Sequence, residues 1–432
     1  MSQFLPILNL FHANILSLRA FCQEVGHLAE QQDDAIQESF WKQTASYLST
    51  PVEILKSEFD EWEAQLGIDS SQPWDPANPT PLQQQALQDL NVQMGELAKT
   101  DPQKASDLFA FLDSLSNILP IQGELLRRGA LFNLWSYFET LLTALVRTHY
   151  LLYPGALSER PIKLAELQKL SSVEEAIAYL ATQEAEAVQR PGLEELLKHF
   201  EKLAIDLRPL QPYRNELSEI AQRRNLLTHN QGVVNRTYLE KAPGDYIKSE
   251  GVCLGQRLNV TEDYLIRAID LIYLCGFILL QQGWRKWDRQ SAILADYALL
   301  QKGIYQALID ERYEVARGLA EYATKLKSVN EAVMRGVIVN QAIALRDINE
   351  HQAMRRLLQK HKVETWGLKY QIACHVLQGK DEAFFRLLPQ AITSGEIQYA
   401  NLEQWPLFKP VRSDSRFVAL LNDAHKIEVN SA

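Results

Sequence analysis

Apolar residues recur every three or four positions along most of the chain, and this spacing predicts an all-α protein. The clearest case begins near residue 122, where apolar side chains form a stripe of the width that a bundle helix needs. That stripe comprises Leu125, Leu131, Leu134, Phe138, Leu141, Leu142, Leu145 and Val146. The pattern predicts helices at about 3–31, 33–48, 52–66, 81–98, 102–117, 122–152, 163–170, 172–187, 191–206 and 261–282. The interval Tyr238–Leu258 is the place where a short hairpin is expected.

The length of the chain and its connecting segments predict three domains. At about 100 to 200 residues per domain, 432 residues suffice for two or three. A helical N-terminal region is expected at 1–117, with a proline-rich loop at 69–81. A helical bundle follows at 118–290, and helical repeats at 291–432 complete the chain.

Charge is distributed unevenly along the chain. The net charge is −10, and residues 1–117 hold about five Lys and Arg against about seventeen Asp and Glu. An acidic region repels nucleic acid at long range, so any contact with nucleic acid has to come from basic residues further along. The acidic region forms either a solvated helical surface or a surface that masks a basic site or docks a basic partner.

The C-terminal region shows helix pairs separated by turns at a loose period. Turn-forming residues occur at Asp310-Glu311, at Asp347 to Asn349 and at Gly379 to Asp381, about 35 residues apart. This spacing is close to the period of about 34 residues that is typical of tetratricopeptide repeats. Such repeats usually bind peptides or proteins, so we expect a protein partner here, although a plain helical solenoid also fits the spacing.

The sequence predicts a cytoplasmic protein with no membrane segment. No uninterrupted apolar stretch reaches the roughly 18 residues of a transmembrane helix. The apolar start of the chain lacks a basic segment before it, which favours a first core helix over a signal peptide. The four cysteines are scattered without paired spacing, which is typical of a reducing compartment.

A candidate chemical site lies at the end of a predicted helix within residues 213–239. Apolar and small polar residues recur at helical spacing up to Asn230, and Gly232 is expected to stop the helix; the recurring positions are Leu217, Ile220, Ala221, Asn225 and Thr228. Arg224 and His229 therefore lie on its last turns, about 140° apart around the axis at roughly 3.6 residues per turn. In a single chain the two side chains diverge and would line a wide site. Two copies of the chain that face each other across a symmetry axis could bring these side chains together in a narrow site.

The Arg224-Asn225-x-x-x-His229 sequence at a helix end resembles the signature of the HEPN family (higher eukaryotes and prokaryotes nucleotide-binding). The upstream Phe138-Glu139 pair is similar to the acidic position of that family's first core helix, and the resemblance covers about residues 118–290. It implies a helical bundle, a homodimer and, in many members, metal-independent cleavage of RNA. It also implies a role in toxin or antiviral defence systems.

The residue types suit this chemistry. Histidine can serve as base and acid near neutral pH, so His229 is the candidate for moving the proton of the 2′-hydroxyl or of the leaving oxygen. The permanent planar charge of Arg224 suits a phosphate, and the Asn225 amide can position a phosphate or the imidazole. Glu139 is the candidate orienting carboxylate, and Arg223 the candidate RNA contact. We expect no metal and no cofactor.

Other interpretations of these residues remain open. Arg224 can pair with Glu219, Glu216 or Glu139, and His229 can cap the helix through its last carbonyl groups. A non-catalytic adaptor that dimerises through the bundle and binds a partner through the repeats is the alternative function. Binding of a nucleotide by the bundle is a third.

Overall fold

The computed structural model describes residues 2–48, 51–54, 56–57, 81–106, 122–189 and 192–422. None of these residues belongs to a strand, so the predicted all-α class is confirmed. Up to the end of the candidate site, the α-helices are α1 (Phe4–Leu48), α2 (Pro81–Thr100), α3 (Gln122–Leu152), α4 (Leu164–Leu167), α5 (Val173–Gln189), α6 (Leu193–Lys202) and α7 (Arg214–Asn230).

The helices after the candidate site continue to the C-terminal region. They are α8 (Arg236–Lys241), α9 (Gly244–Ser249), α10 (Glu262–Trp287), α11 (Ala292–Ala298), α12 (Gln306–Ile309), α13 (Tyr313–Thr324), α14 (Glu331–Asp347), α15 (His351–His361), α16 (Leu368–Leu377), α17 (Asp381–Thr393) and α18 (Tyr399–Gln404). A π-helical segment, Leu299–Tyr305, joins α11 to α12.

Two local predictions were wrong. The expected break between helices 3–31 and 33–48 is absent, because no proline interrupts the hydrogen bonds of α1 there. The hairpin expected within Tyr238–Leu258 is replaced by α8 and α9. An isolated antiparallel bridge between Val233 and Arg257 pairs the segment before α8 with the segment after α9. Most of the helix predicted at 52–66, most of that at 102–117 and all but the last residue of the loop at 69–81 lie outside the described residues.

The chain forms two compact units, each built from separate stretches of sequence. The first unit contains residues 1–12, 139–212 and 270–432, and the second contains 13–138 and 213–269. The division into domains at 117/118 and 290/291 stays a prediction. The candidate helix α7 belongs to the second unit.

The core of the first unit includes the start of α1. The ring of Phe4 stacks on Trp284 with ring centroids 5.8 Å apart, and Phe11 stacks on Tyr273 at 6.0 Å. Residues Phe4–Ile36 are long and apolar enough to cross a membrane by length and composition alone. Core helices of soluble proteins and signal sequences pass the same test. Phe4 is buried, whereas 28% of the most apolar window of this helix is buried, and the expected core helix stays a prediction.

The turns predicted in the C-terminal region are confirmed. Helices α12, α14 and α16 end at or just before them, and Glu311, Asn349 and Gly379 have φ angles of 57°, 64° and 67°. Left-handed backbone of this kind reverses the chain after a helix. The helices on either side of such a turn then pack together, as α14 does with α15 and α16 with α17.

Candidate functional site

Helix α7 carries the candidate residues on its last turns and ends where the sequence predicts. It runs to Asn230, after which Gln231 adopts a left-handed conformation with φ 52° and Gly232 one with φ 88°. The Gly232 amide donates a 3.3 Å hydrogen bond to the carbonyl oxygen of Leu226, which satisfies one of the free carbonyl groups at the helix end. The turn fixes where the chain goes after His229.

The buried face of α7 differs in part from the predicted one. Leu217, Ile220 and Ala221 are buried as expected, whereas Asn225 and Thr228 are exposed. Leu226 and Leu227 complete the buried face instead, and Leu226 packs in a cluster with residues of the following segment, namely Val234, Tyr238, Ala242, Val252 and Leu258. At the end of the helix, the buried side chains therefore lie about half a turn away from the two predicted ones, at roughly 100° of rotation per residue.

Gly232 lies in a close approach between two segments of backbone. A Cβ atom at this position would lie 2.9 Å from the carbonyl oxygen of Leu258, closer than real Cβ contacts come. The Leu258 amide donates a 2.9 Å hydrogen bond to the Gly232 carbonyl, and the Val234 amide donates one of 2.8 Å to that of Gln256. The residue expected to stop the helix therefore also admits a second segment against its end.

Arg224, Asn225 and His229 lie at the surface of the second unit. Nη1 of Arg224 donates a 3.0 Å hydrogen bond to Oδ1 of Asn225, so the guanidinium and the side-chain amide of the motif are in contact. The Thr228 hydroxyl donates a 2.8 Å hydrogen bond to the Arg224 carbonyl oxygen. His229 is exposed, and within the described ranges its imidazole has no hydrogen-bond partner. None of the carboxylates considered from the sequence forms a recorded ion pair with Arg224.

Arg223 has an environment opposite to that of its neighbour. It is 4% exposed, and its Nε donates a 2.9 Å hydrogen bond to Glu219. Nη1 donates to the Asn259 carbonyl oxygen at 2.8 Å, and Nη2 donates to the Tyr246 hydroxyl at 2.6 Å. The guanidinium also lies 4.5 Å from the ring centroid of Tyr264. These contacts favour a structural role for Arg223 over the RNA contact suggested by the sequence.

Glu219 is the acceptor at the centre of this buried network. Its Oε1 accepts hydrogen bonds from Arg223 and from the Tyr238 hydroxyl, each 2.9 Å long, and its Oε2 accepts one of 2.7 Å from the Tyr264 hydroxyl. Burial, together with the charge of Glu219, raises the pKa of both tyrosines, so they remain neutral donors. Burial alone would lower the pKa of Arg223, but Glu219 and the three tyrosines Tyr264, Tyr246 and Tyr238 together outweigh burial, and the pKa is raised.

Sequence reasoning missed the members of this network. The Glu219–Arg223 spacing of four residues was a usable signal, because side chains at that spacing lie on the same face of a helix. The tyrosines gave no signal, since they come from α8, α9 and α10. The network ties the helix that carries the motif to all three helices that follow it.

Glu139 lies on α3, directly after the fully buried Phe138. It is half-buried and belongs to the first compact unit, whereas Arg224 and His229 belong to the second. Its role as an orienting carboxylate stays a prediction.

An apolar groove runs along α1 and α3 in the second unit. It encloses about 830 Å³, and its walls include the exposed side chains of Phe21, Leu28 and Leu125. Leu125 was expected in the buried stripe of α3, yet it is 60% exposed. The other members of that stripe are buried, so the first turn of α3 departs from the pattern. No set of three or more His, Cys, Asp or Glu side chains in the described parts of the chain is arranged to hold a metal ion.

Searches of the chain against protein-family models, curated proteins and solved structures returned no match. The resemblance to HEPN proteins therefore rests on the motif, on its position at the end of α7 and on the Phe138-Glu139 pair of α3.

Proposed function

We propose that the chain is a metal-independent endoribonuclease of the HEPN type that acts as a homodimer in a cytoplasmic toxin or antiviral defence system. The observation that carries this proposal is the exposed end of α7, where Arg224 and His229 have no ion-pair partner among the described residues. Residues 118–290 would form the HEPN-like domain, and residues 291–432 tetratricopeptide-like repeats that bind a partner protein.

Each residue has a distinct part in the proposed reaction. His229 takes the proton from the 2′-hydroxyl, whose oxygen attacks the adjacent phosphorus, and an imidazolium protonates the departing 5′ oxygen. The products are a 2′,3′-cyclic phosphate and a 5′-hydroxyl. Arg224 offsets the negative charge that builds on the phosphate oxygens in the transition state. Asn225, already bonded to Arg224, fixes the direction of the guanidinium.

The geometry of α7 explains why two copies would be needed. Arg224 and His229 are five residues apart and diverge by about 140° around the helix axis, so one helix end offers a single base and no facing acid. A second α7 across a two-fold axis supplies the other histidine and arginine. The proposed active site is thus composed of residues from both chains.

The deciding experiment is RNA cleavage by the purified protein in EDTA. Wild type is compared with His229→Ala and with a matched control, His351→Ala, which removes an exposed histidine at the start of α15. We expect cleavage with cyclic phosphate ends in wild type and His351→Ala, and a loss of at least 100-fold in His229→Ala, in line with the usual contribution of acid–base catalysis. Equal activity in all three proteins would refute the assignment of His229.

A second candidate function, a non-catalytic adaptor, is favoured by the apolar groove along α1 and α3. Exposed apolar side chains of this size often mark a site for another protein. The adaptor function predicts normal growth of cells that express the protein, whereas the nuclease predicts growth arrest that His229→Ala relieves. It also predicts that Leu125→Asp, but not His229→Ala, prevents association with a partner.

A further inference from the structure

A second cation lies beside the end of α7. Arg257 forms the antiparallel bridge with Val233, four residues after His229. The Asn230 side-chain amide donates a hydrogen bond to the Val233 carbonyl oxygen. The Val233 backbone amide donates a 2.9 Å hydrogen bond to the Asn230 carbonyl oxygen. Asn230, the residue next to His229, is therefore bonded through both side chain and backbone to the residue that pairs with Arg257.

The bridge determines the direction in which Arg257 points. Two hydrogen bonds flank the bridge: the Leu258 amide donates to the Gly232 carbonyl oxygen, and the Val234 amide donates to that of Gln256. Val233 and Arg257 are therefore a non-hydrogen-bonded pair of an antiparallel ladder. In such a pair the facing Cα atoms are about 4.5 Å apart and both side chains lie on the same face. Successive side chains of an extended segment point to opposite faces. Val234 and Leu258 belong to the buried cluster, so Val233 and Arg257 share the outward face.

The Arg257 side chain has no counter-charge in this position. Among the described residues it forms no ion pair, and its Nε is buried without a hydrogen-bond partner. Its Cγ lies 3.7 Å from the point that a Gly232 Cβ would occupy, so the stem of the side chain runs over the turn that ends α7. An unpaired guanidinium held against that turn is suited to accept an anion from solvent.

We propose that Arg257 binds a phosphate of the RNA next to the scissile one, as a second cation of the Arg224–His229 site. This inference rests on the proposed function, since it assigns a further residue to the same site. Gly232 makes the arrangement possible, because only a residue without Cβ lets the Arg257 segment approach the end of the helix.

The test measures binding of a fluorescent single-stranded oligoribonucleotide by anisotropy at several salt concentrations. All proteins carry His229→Ala, so that the RNA stays intact. Arg257→Gln is compared with Arg267→Gln, which removes an exposed arginine of the same unit that bonds to the Asp263 carbonyl oxygen. Removing one phosphate contact should raise Kd about five- to tenfold and reduce the slope of log Kd against log salt by about 0.7. Arg267→Gln should change neither.

A second variant tests the placement of Arg257. Gly232→Ala should weaken RNA binding to a similar degree, and the double variant with Arg257→Gln should lose little more, because both act on the same contact. An unchanged Kd and salt slope in Arg257→Gln would overturn the inference, and if wild type still cleaves RNA in EDTA through His229 the proposed function would survive. If the protein neither binds nor cleaves RNA, the inference and the proposed function fail together.

Discussion

Replacing Glu219 tests the reasoning about the buried network most directly. Glu219→Gln keeps the size of the side chain but leaves the Arg223 guanidinium, 4% exposed, without its counter-charge. Removing one partner of a buried ion pair costs about 3–5 kcal/mol. The matched control is Glu216→Gln, the same change at an exposed position of the same helix, which should alter stability by less than about 0.5 kcal/mol.

The predicted loss should be concentrated in the residues that the network connects. At about 1.36 kcal/mol per tenfold change, 3–5 kcal/mol raises the opening constant of the segment by about two to four orders of magnitude. Hydrogen–deuterium exchange read by mass spectrometry measures this for peptides covering residues 214–269. Peptides of the first unit, such as those of α13 and α14, provide the internal reference.

A double substitution separates the charge pair from the packing. Arg223→Met combined with Glu219→Leu removes both charges and should recover at least about 2 kcal/mol relative to the sum of the single changes. The hydroxyl groups of Tyr238 and Tyr264 lose their acceptor in this variant, so recovery should remain incomplete. If the single changes are additive, or if Glu219→Gln exchanges like wild type, the pair does not stabilise α7 as described.

Two further predictions concern the first unit and α1. Gly276→Ala should lower the free energy of unfolding by about 1–3 kcal/mol, because its Cβ would lie 2.5 Å from the Phe11 ring. Gly26→Ala has open space around it and should stabilise α1 by up to about 1 kcal/mol. Thermal unfolding of both variants checks this prediction. Burial, aided by the charge of Lys302, lowers the pKa of His12 to about 4. An unfolded histidine titrates near 6.5, so the stability from neutral His12 is complete above about pH 6.5 and is lost as the pH falls to about 4. The melting temperature of His12→Gln should therefore fall less over this interval than that of wild type, and an equal fall in both would contradict the assignment.

The features that local sequence signals specify were predicted well. The end of α7 and two of the three C-terminal turns contain a Gly or Asn residue, which adopts left-handed backbone cheaply. At the third turn, Glu311 occupies the equivalent position. A break near residue 32 was predicted where α1 is continuous. In the structure Asp33 accepts hydrogen bonds from the amides of Gln122 and Gly123, at the start of α3. This partner lies about 90 positions away in the sequence.

The neighbouring arginines show what a linear motif leaves undetermined. Successive residues on a helix are about 100° apart, so Arg223 and Arg224 necessarily face different surroundings. Which of them is buried depends on Tyr246, Asn259 and Tyr264, none of which is close in sequence. Because Glu219 neutralises Arg223 inside the unit, Arg224 is the one of these two neighbouring arginines whose charge α7 can offer to a phosphate. If the protein is the proposed nuclease, a substitution of Arg223 should reduce cleavage by loosening the helix, with folded protein lost in proportion. A substitution of Arg224 should instead reduce the cleavage rate of protein that remains fully folded.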